Sequence, residues 1–286
     1  MIGIYHNKDF DGIASGAIMN YYHRDITLYG YDYGDEFDFS IINDENVIMS
    51  DISFDMDIMN RIAEESNSFM WIDHHISAIN KYNKQLSNHN KIWAVLDSSI
   101  SACELTWKSF YPNREVPLII QYLGEYDTFR THEDKVRWIQ IIFPFQLGMW
   151  SICKNVYDFP YHLLNYDFNV ESNKISIQEI IERGKIIMEY YHNNNEYICN
   201  FCSFERDLLR YKALCINAFG LSSEAFKSKY DESKHDLMIC FCYIDGKYKL
   251  TFYTTKDNVD CSAIAKSYGG GGHRKAAGCQ VDVLPF

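Results

Sequence analysis

The sequence is short of positive charge, of long apolar runs and of paired cysteines, and each shortage removes a class of function. Of its 286 residues, 27 are Lys or Arg against 39 Asp or Glu, a formal net charge of -12. A protein that holds long nucleic acid along a groove usually carries a basic excess, because neutralising backbone phosphates drives that binding. The acidic balance therefore disfavours a long duplex and suits a small anionic substrate, provided that bound divalent cations return positive charge locally. No apolar stretch approaches the roughly 20 residues needed to cross a bilayer, so no membrane association is expected. The first residues read as a strand rather than as the basic and apolar regions of a signal peptide. Nine cysteines are scattered through the chain; Cys199 and Cys202 form a C-x-x-C with no second pair to complete a zinc site. Reduced thiols in a cytoplasmic protein are the expectation. No Gly-Lys-Ser/Thr phosphate loop and no internal repeat is present.

What remains is a globular composition, 47% hydrophobic and 23% charged, on a chain long enough for two domains. Short apolar runs alternate with segments of helical periodicity over the first ~110 residues, which predicts an α/β fold with a mostly parallel sheet. The predicted strands are 2–5, 26–31, 47–49, 69–72 and 92–96, and the segment 31–38 reads as a loop. Ligands in such sheets bind beyond the carboxyl ends of the strands. At those ends stand His6-Asn7-Lys8-Asp9-Phe10-Asp11, then Asp51, then Asp73-His74-His75. A helical stretch from Val116 to Leu147 is interrupted by Gly124-Glu125-Tyr126-Asp127, which offers one more acid. Phe159 to Asn173 reads as a hinge and Ser176 to Tyr197 as a long helix. Strands are expected again from Leu208 onward, at 213–217, 237–244 and 248–253, with Asp245-Gly246 as a hairpin turn and a helix at 262–268. Domains are expected at 1–158 and 198–286, joined by 159–197.

A lone His-x-x-Asp is more often an ordinary loop than a site, and Asp51 alone could cap the next helix. Their joint occurrence on three strand ends is what points to one site. Carboxylates packed within a few ångströms repel and raise one another's pKa unless a cation compensates. Mixed His and carboxylate ligands without thiolate suit manganese, or magnesium less well, rather than structural zinc. The number of acids suggests two ions sharing a bridging carboxylate, an arrangement that hydrolyses phosphoesters by in-line displacement. Only 14 residues follow Gly272 in the run Gly269-Gly270-Gly271-Gly272-His273-Arg274, too few for the glycines to be expected to link a further domain. It reads instead as a loop whose backbone N–H groups, with His273 and Arg274, grip an anion.

These motifs, in this order, resemble those of the DHH phosphoesterase superfamily, and Gly270-Gly271-Gly272-His273-Arg274-Lys275-Ala276-Ala277-Gly278 resembles the signature of the DHH-associated C-terminal domain. The resemblance spans almost the whole chain. It implies an N-terminal α/β domain, a smaller C-terminal α/β domain and an active site in the cleft between them. It implies two divalent metal ions, one on His6 and Asp9, the other on Asp11, His74 and Asp127, with Asp51 bridging and a bridging hydroxide as nucleophile. Asp73 would support the His74 imidazole, His75 would contact the scissile phosphate, and Gly270, Gly271, Gly272, His273 and Arg274, with Ser262, would hold the substrate. The implied substrate is a short single-stranded oligonucleotide or a small nucleotide phosphoester. No sensor or membrane domain precedes the first motif, against the membrane-bound cyclic-dinucleotide branch, and no oligonucleotide-binding domain follows, against a processive exonuclease. The alternatives are a cyclic-dinucleotide or 3'-phosphoadenosine 5'-phosphate hydrolase, or an inactive nucleotide-binding module. A homodimer is compatible with the sequence.

Overall fold

The fold is taken from a computed structural model, which describes residues 1–85, 91–165 and 175–286. The chain divides into two compact units, Met1–Ile187 and Met188–Phe286.

The first unit is built on five parallel strands: β1 Ile2–His6, β2 Thr27–Tyr31, β3 Asn46–Ser50, β4 Ser68–Asp73 and β5 Ile92–Leu96. Their spatial order is β2-β1-β3-β4-β5. The connections are α1 Phe10–Tyr22 after β1, α2 Met56–Glu65 after β3 and α3 Ile76–Gln85 after β4. Parallel neighbours need such crossovers, and both sheet faces are thereby covered. The strand residues alternate between two cores as the period of two requires. Ile2, Ile4, Val47, Met49, Phe69 and Trp71 enter one core, with α2 residues Met59 and Ile62. Tyr5, Ile48, Met70 and Ile72 enter the other, with α1 residues Ile13, Ala14 and Ala17. That second core is completed by α4 Ala102–Phe110, α5 Leu118–Asp127 and α7 Phe143–Ile152, while the single turn α6 Lys135–Arg137 stays outside it.

Because β1 lies between β2 and β3, the chain leaves β1 in one direction and later builds outward in the other. The crevice at such a reversal is where open α/β sheets receive ligands. It lies here beyond His6 and Ser50, the last residues of β1 and β3.

The helix α8 runs Ile177–Cys202, five residues past the expected end at Tyr197, and the boundary between the units falls within it. The expected hinge at Phe159–Asn173 is a short helical turn at Tyr161–Leu164; residues 166–174 lie outside the described part. The second unit is a six-stranded mixed sheet, β6 Ser203–Leu208, β7 Tyr211–Asn217, β8 Leu237–Ile244, β9 Lys247–Tyr253, β10 Gly271–Gly272 and β11 Ala276–Val281, with α9 Cys261–Ser267. Its order is β10-β11-β9-β8-β7-β6. The Asp245-Gly246 hairpin is as expected, with both residues at positive φ (51° and 83°), as a type I′ turn demands. Strands β6, β10 and β11 were not expected: β6 carries Glu205, Arg206 and Asp207 on a sheet edge, so its apolar pattern is weak.

The glycine run corrects an expectation. It is not an open loop: Gly271 and Gly272 pair with Gly278 and Ala277. Gly269 ends α9 at φ 78°, its N–H bonding the Lys266 carbonyl while the Gly270 N–H reaches the Ala265 carbonyl. This is a Schellman cap, which needs a glycine at the left-handed position. The Gly270 N–H is therefore engaged within the fold. Arg274 donates to the Asp257 carbonyl at 2.6 Å and Ser262 to Asp260 Oδ1 at 2.6 Å, so both side chains have partners in the same unit.

No helix among the described residues is long and apolar enough to cross a membrane. All nine cysteines are free thiols, most of them buried.

Candidate metal centre

The polar residues at the strand ends meet in the first unit. His6 is the last residue of β1. Asp9 caps α1, its Oδ1 accepting the Gly12 N–H at 3.0 Å. Gly12 is obligatory for this turn, since a Cβ there would lie 2.0 Å from the His6 carbonyl oxygen. Asp51 follows β3 in a left-handed backbone conformation, φ 62°, which Asp tolerates better than most residues. Two bonds hold that turn: the Asp51 N–H donates to the Ile72 carbonyl at 3.1 Å, and the buried Trp71 indole donates to the Ile52 carbonyl at 3.1 Å. Asp11 is gripped from across the unit. The Ala102 and Cys103 N–H groups, at the start of α4, each donate to one of its carboxylate oxygens at 2.8 Å. A helix N-terminus leaves such donors unpaired and favours an anion.

Three groupings of candidate ligands result: His6, Asp9 and Asp51; Asp11, His74 and Asp127; and Asp51, His74 and His75. His6 Nδ1 lies 2.9 Å from Asp9 Oδ2 and 3.7 Å from Asp51 Oδ2. His74 Nε2 lies 3.4 Å from each of three carboxylate oxygens, Asp11 Oδ2, Asp51 Oδ1 and Asp127 Oδ2. Asp51 thus turns one oxygen toward each group. His6 and Asp9 fall in one group and Asp11, His74 and Asp127 in another, with Asp51 a member of the first and 3.4 Å from the His74 nitrogen of the second.

The donor set fits divalent ions on a direct observation. His6 Nδ1, both oxygens of Asp51 and His74 Nε2 are buried without a well-aligned hydrogen bond, His6 Nδ1 having only the Asp9 carboxylate at 2.9 Å and Asp51 at 3.7 Å beside it. Buried polar atoms are almost always paired, and an unpaired one costs stability. Four such atoms gathered around Asp51, all of them good metal donors, fit bound cations.

The electrostatics agree. Burial and the neighbouring Asp11 carboxylate push Asp51 well above the usual carboxylate range. The same causes raise Asp127 to about 7. Burial alone would lower His6, but its contacts with Asp51 and Asp9 outweigh it and raise it to about 10. Without a cation, the cluster lowers its own repulsion by holding protons.

Asp73 differs from expectation. Its Oδ1 accepts the His75 ring Nδ1–H at 2.8 Å and the backbone N–H groups of His74 and His75 at 2.7 and 3.0 Å. It therefore orients His75, not His74, because the chain turns sharply after β4 and brings the second imidazole back over the carboxylate. Asp73 raises the His75 pKa, and the ring is 37% exposed.

Two features escaped the sequence reading. Asp32, directly after β2, lies 3.3 Å from His6 Nε2, the nitrogen opposite the one that faces Asp9. A carboxylate on the far nitrogen fixes the tautomer and orientation of a metal-binding imidazole. The rule that found Asp51 and Asp73, an acid at the end of a parallel strand, would have found Asp32 as well. Replacing Asp32 by Asn should weaken divalent-ion affinity by about 10- to 100-fold, the usual cost of losing such a partner. Calorimetric titration with Mn2+ measures this, and an affinity unchanged within about twofold would refute the role. The second feature is Glu104, which caps α4 through Ser101 and forms a two-pronged ion pair with Arg130 at 2.6 and 2.7 Å. It ties the segment after Asp127 to the helix that grips Asp11. Its sequence signal is the Ser101-x-x-Glu104 capping-box pattern, which marks a helix start and says nothing of Arg130.

No protein-family model matches the sequence. An uncharacterised protein, R106, of Acanthamoeba polyphaga mimivirus is 27% identical over 312 residues, covering 99% of this chain and 69% of that protein. Among solved structures, a pGpG-specific phosphodiesterase from Vibrio cholerae aligns with a TM-score of 0.59 at 13% identity, over 98% of this chain and 92% of that one. The DHH domain of a member of a ribosomal-protein family aligns with a TM-score of 0.51 at 12% identity, over 97% and 81%. At such identities the likeness is one of fold. This chain therefore shares the fold of these structures, a DHH domain among them, with His6, Asp9, Asp11, Asp51, His74, His75 and Asp127 gathered beyond the carboxyl ends of its parallel strands.

Proposed function

We propose that the protein is a divalent-metal-dependent phosphoesterase that hydrolyses short oligonucleotides or small nucleotide phosphoesters. The observation that carries this reading is the pair of ligand groups joined through Asp51, whose two oxygens face His6 and His74. Manganese is the ion that the oxygen-and-imidazole donor set favours, with magnesium second. Two divalent ions held by these residues would supply Lewis acidity at phosphorus and would lower the pKa of a water.

The chain's own residues do the rest. His6, Asp9, Asp11, His74 and Asp127 hold the charge, and Asp51 keeps the two groups in register. Asp73 holds His75 with its Nδ1–H engaged, and its carboxylate keeps that ring protonated to a higher pH than usual. An imidazolium that is more than a third exposed beside the cluster can donate to a phosphate oxygen and stabilise charge added in the transition state. We propose for Gly271, Gly272, His273 and Arg274 the substrate-anchoring role that the motif resemblance implies. The net charge of -12 favours a short substrate over a long one. The neighbour that is a pGpG-specific phosphodiesterase favours dinucleotides among the short substrates.

The test is a substrate panel with Mn2+: dinucleotides, five-mers, long single strands, 3'-phosphoadenosine 5'-phosphate, cyclic dinucleotides and pyrophosphate. Two- to five-mers should have the highest kcat/KM. Faster hydrolysis of long strands would overturn the substrate assignment, and no turnover of any member would leave a binding module in its place.

A further inference from the structure

We propose that Phe129 and Trp138, on the segment that follows Asp127, form a stacking platform for a nucleobase of the substrate. This rests on the phosphoesterase reading above and adds to it the feature that recognises the base.

Three ring pairs of this segment lie nearly parallel, while Tyr126 and Phe129, 6.0 Å apart, are tilted by 32°. Tyr126 and Trp138 have centroids 5.5 Å apart and planes inclined by 9°; Phe129 and Trp138 are 5.5 Å apart at 22°. Tyr126 and Phe143 are 6.4 Å apart at 10°. His132 meets the edges of the slab, 5.1 Å from Trp138 at 76°. Phe129 is 59% exposed. A sequence-tolerant base site needs this arrangement, an open aromatic face held in a fixed plane, because every base has a π-face to offer.

Three further observations separate the platform from ordinary aromatic packing. Phe129 has a left-handed backbone, φ 52°, unfavourable for a bulky residue. Strain of this kind persists only where the surroundings impose it, and it collects at ligand sites. An exposed phenyl ring gives the fold little burial in return. Next, Trp138 opens a π-helical turn, Trp138–Ile142, a rare feature that recurs at functional sites. Finally, both ends of the segment are clamped by two-pronged ion pairs, Arg130 to Glu104 and Arg137 to Glu125 at 2.8 and 2.6 Å. The slab is thus fixed before any ligand arrives, which lowers the ordering cost of binding.

Its place suits the chemistry. Phe129 follows Asp127 by two residues, so their Cα atoms are at most about 7 Å apart. A base on the platform belongs to the nucleotide whose phosphate reaches the carboxylate cluster, or to its neighbour. The platform selects for a base without selecting which base.

Phe129→Gly is the decisive variant. It removes the ring and relaxes the left-handed backbone, so unfolding cannot account for a loss. With Mn2+, the preference for a dinucleotide over the same phosphodiester with abasic ribose should fall at least about tenfold, chiefly through KM, and Phe129→Tyr should restore it. Equal losses on both substrates would overturn the proposal while leaving the phosphoesterase reading intact. A second readout does not depend on turnover. In EDTA, the dinucleotide should quench tryptophan emission of the wild-type protein, with loss of that quenching in Trp138→Phe and at least about tenfold weaker binding in Phe129→Gly. If no substrate is hydrolysed, the function assignment fails and this titration still decides the platform: equal affinity in wild type and Phe129→Gly, or no binding to either, refutes it.

Discussion

Replacing Asp51 by alanine should lower phosphoester turnover by at least roughly 10³-fold, because both ligand groups depend on it. It lies 1% exposed, and its oxygens face His6 at 3.7 Å and His74 at 3.4 Å. No other described carboxylate faces both imidazoles, so no neighbour can take its place. Asp51→Asn separates catalysis from folding. It keeps the shape and removes the charge, so activity should fall about as far. Yet the metal-free protein should melt at the same or a higher temperature near pH 7.5. A carboxyl group held well above its usual range by burial and by Asp11 is a liability to the folded state, and an amide removes it. Turnover within about tenfold of wild type would show that Asp51 is not the shared ligand. A large fall in melting temperature in both variants would show that its role is structural.

Adding divalent ion should raise the melting temperature near pH 7.5 by roughly 10 °C. At a thousandfold excess over Kd, binding adds about 4 kcal/mol, and about 1 kcal/mol moves a unit of this size by about 2–4 °C. The pH dependence has a definite sign. Asp127 titrates at 3.8 unfolded and is raised to about 7 when folded. Its stabilising contribution is complete below the unfolded value and is lost as pH rises through about 7. Asp51 is shifted in the same direction. His6, at 6.5 unfolded and about 10 folded, contributes below 6.5 and loses that contribution as pH climbs toward 10. All three make the metal-free protein less stable from about pH 5 to about pH 8, and ion binding should flatten that slope by displacing the protons. Differential scanning calorimetry at several pH values, with EDTA and with Mn2+, measures both effects. A metal-free melting temperature that rises over that range, or a Mn2+ shift below about 2 °C, would contradict the two-group site.

Much of this centre was legible because strand ends in a parallel sheet are addresses. An apolar run that stops at His6, Asp51 or Asp73 says both that a strand ends and that its last side chains emerge on the ligand side. Asp127 was found on weaker grounds, since it closes a helix; only packing shows that this end reaches His74. Asp32 met the strand-end rule and was still missed, because the segment 31–38 reads as a loop on composition alone. The true partner of Asp73 was not readable. Adjacent imidazoles differ in direction by the turn they occupy, and the sequence does not state the turn.

The glycine run shows the opposite error. Four glycines suggest freedom, yet Gly269 is a helix cap and Gly271–Gly272 a strand. Glycine permits many backbone conformations, and hydrogen-bonding neighbours select among them.

By itself, the sequence determined the parallel α/β plan of the first unit, and it named the candidate ligands and the class of chemistry they suit, because periodicity and residue type are local properties. Tertiary structure alone decided which oxygen faces which nitrogen, that Asp73 serves His75, that α4 holds Asp11 and that Tyr126, Phe129, Trp138 and Phe143 form one aromatic cluster beside Asp127. Those are contacts between residues up to about a hundred positions apart, set by close packing and by the need to pair buried polar groups, and no local pattern encodes them.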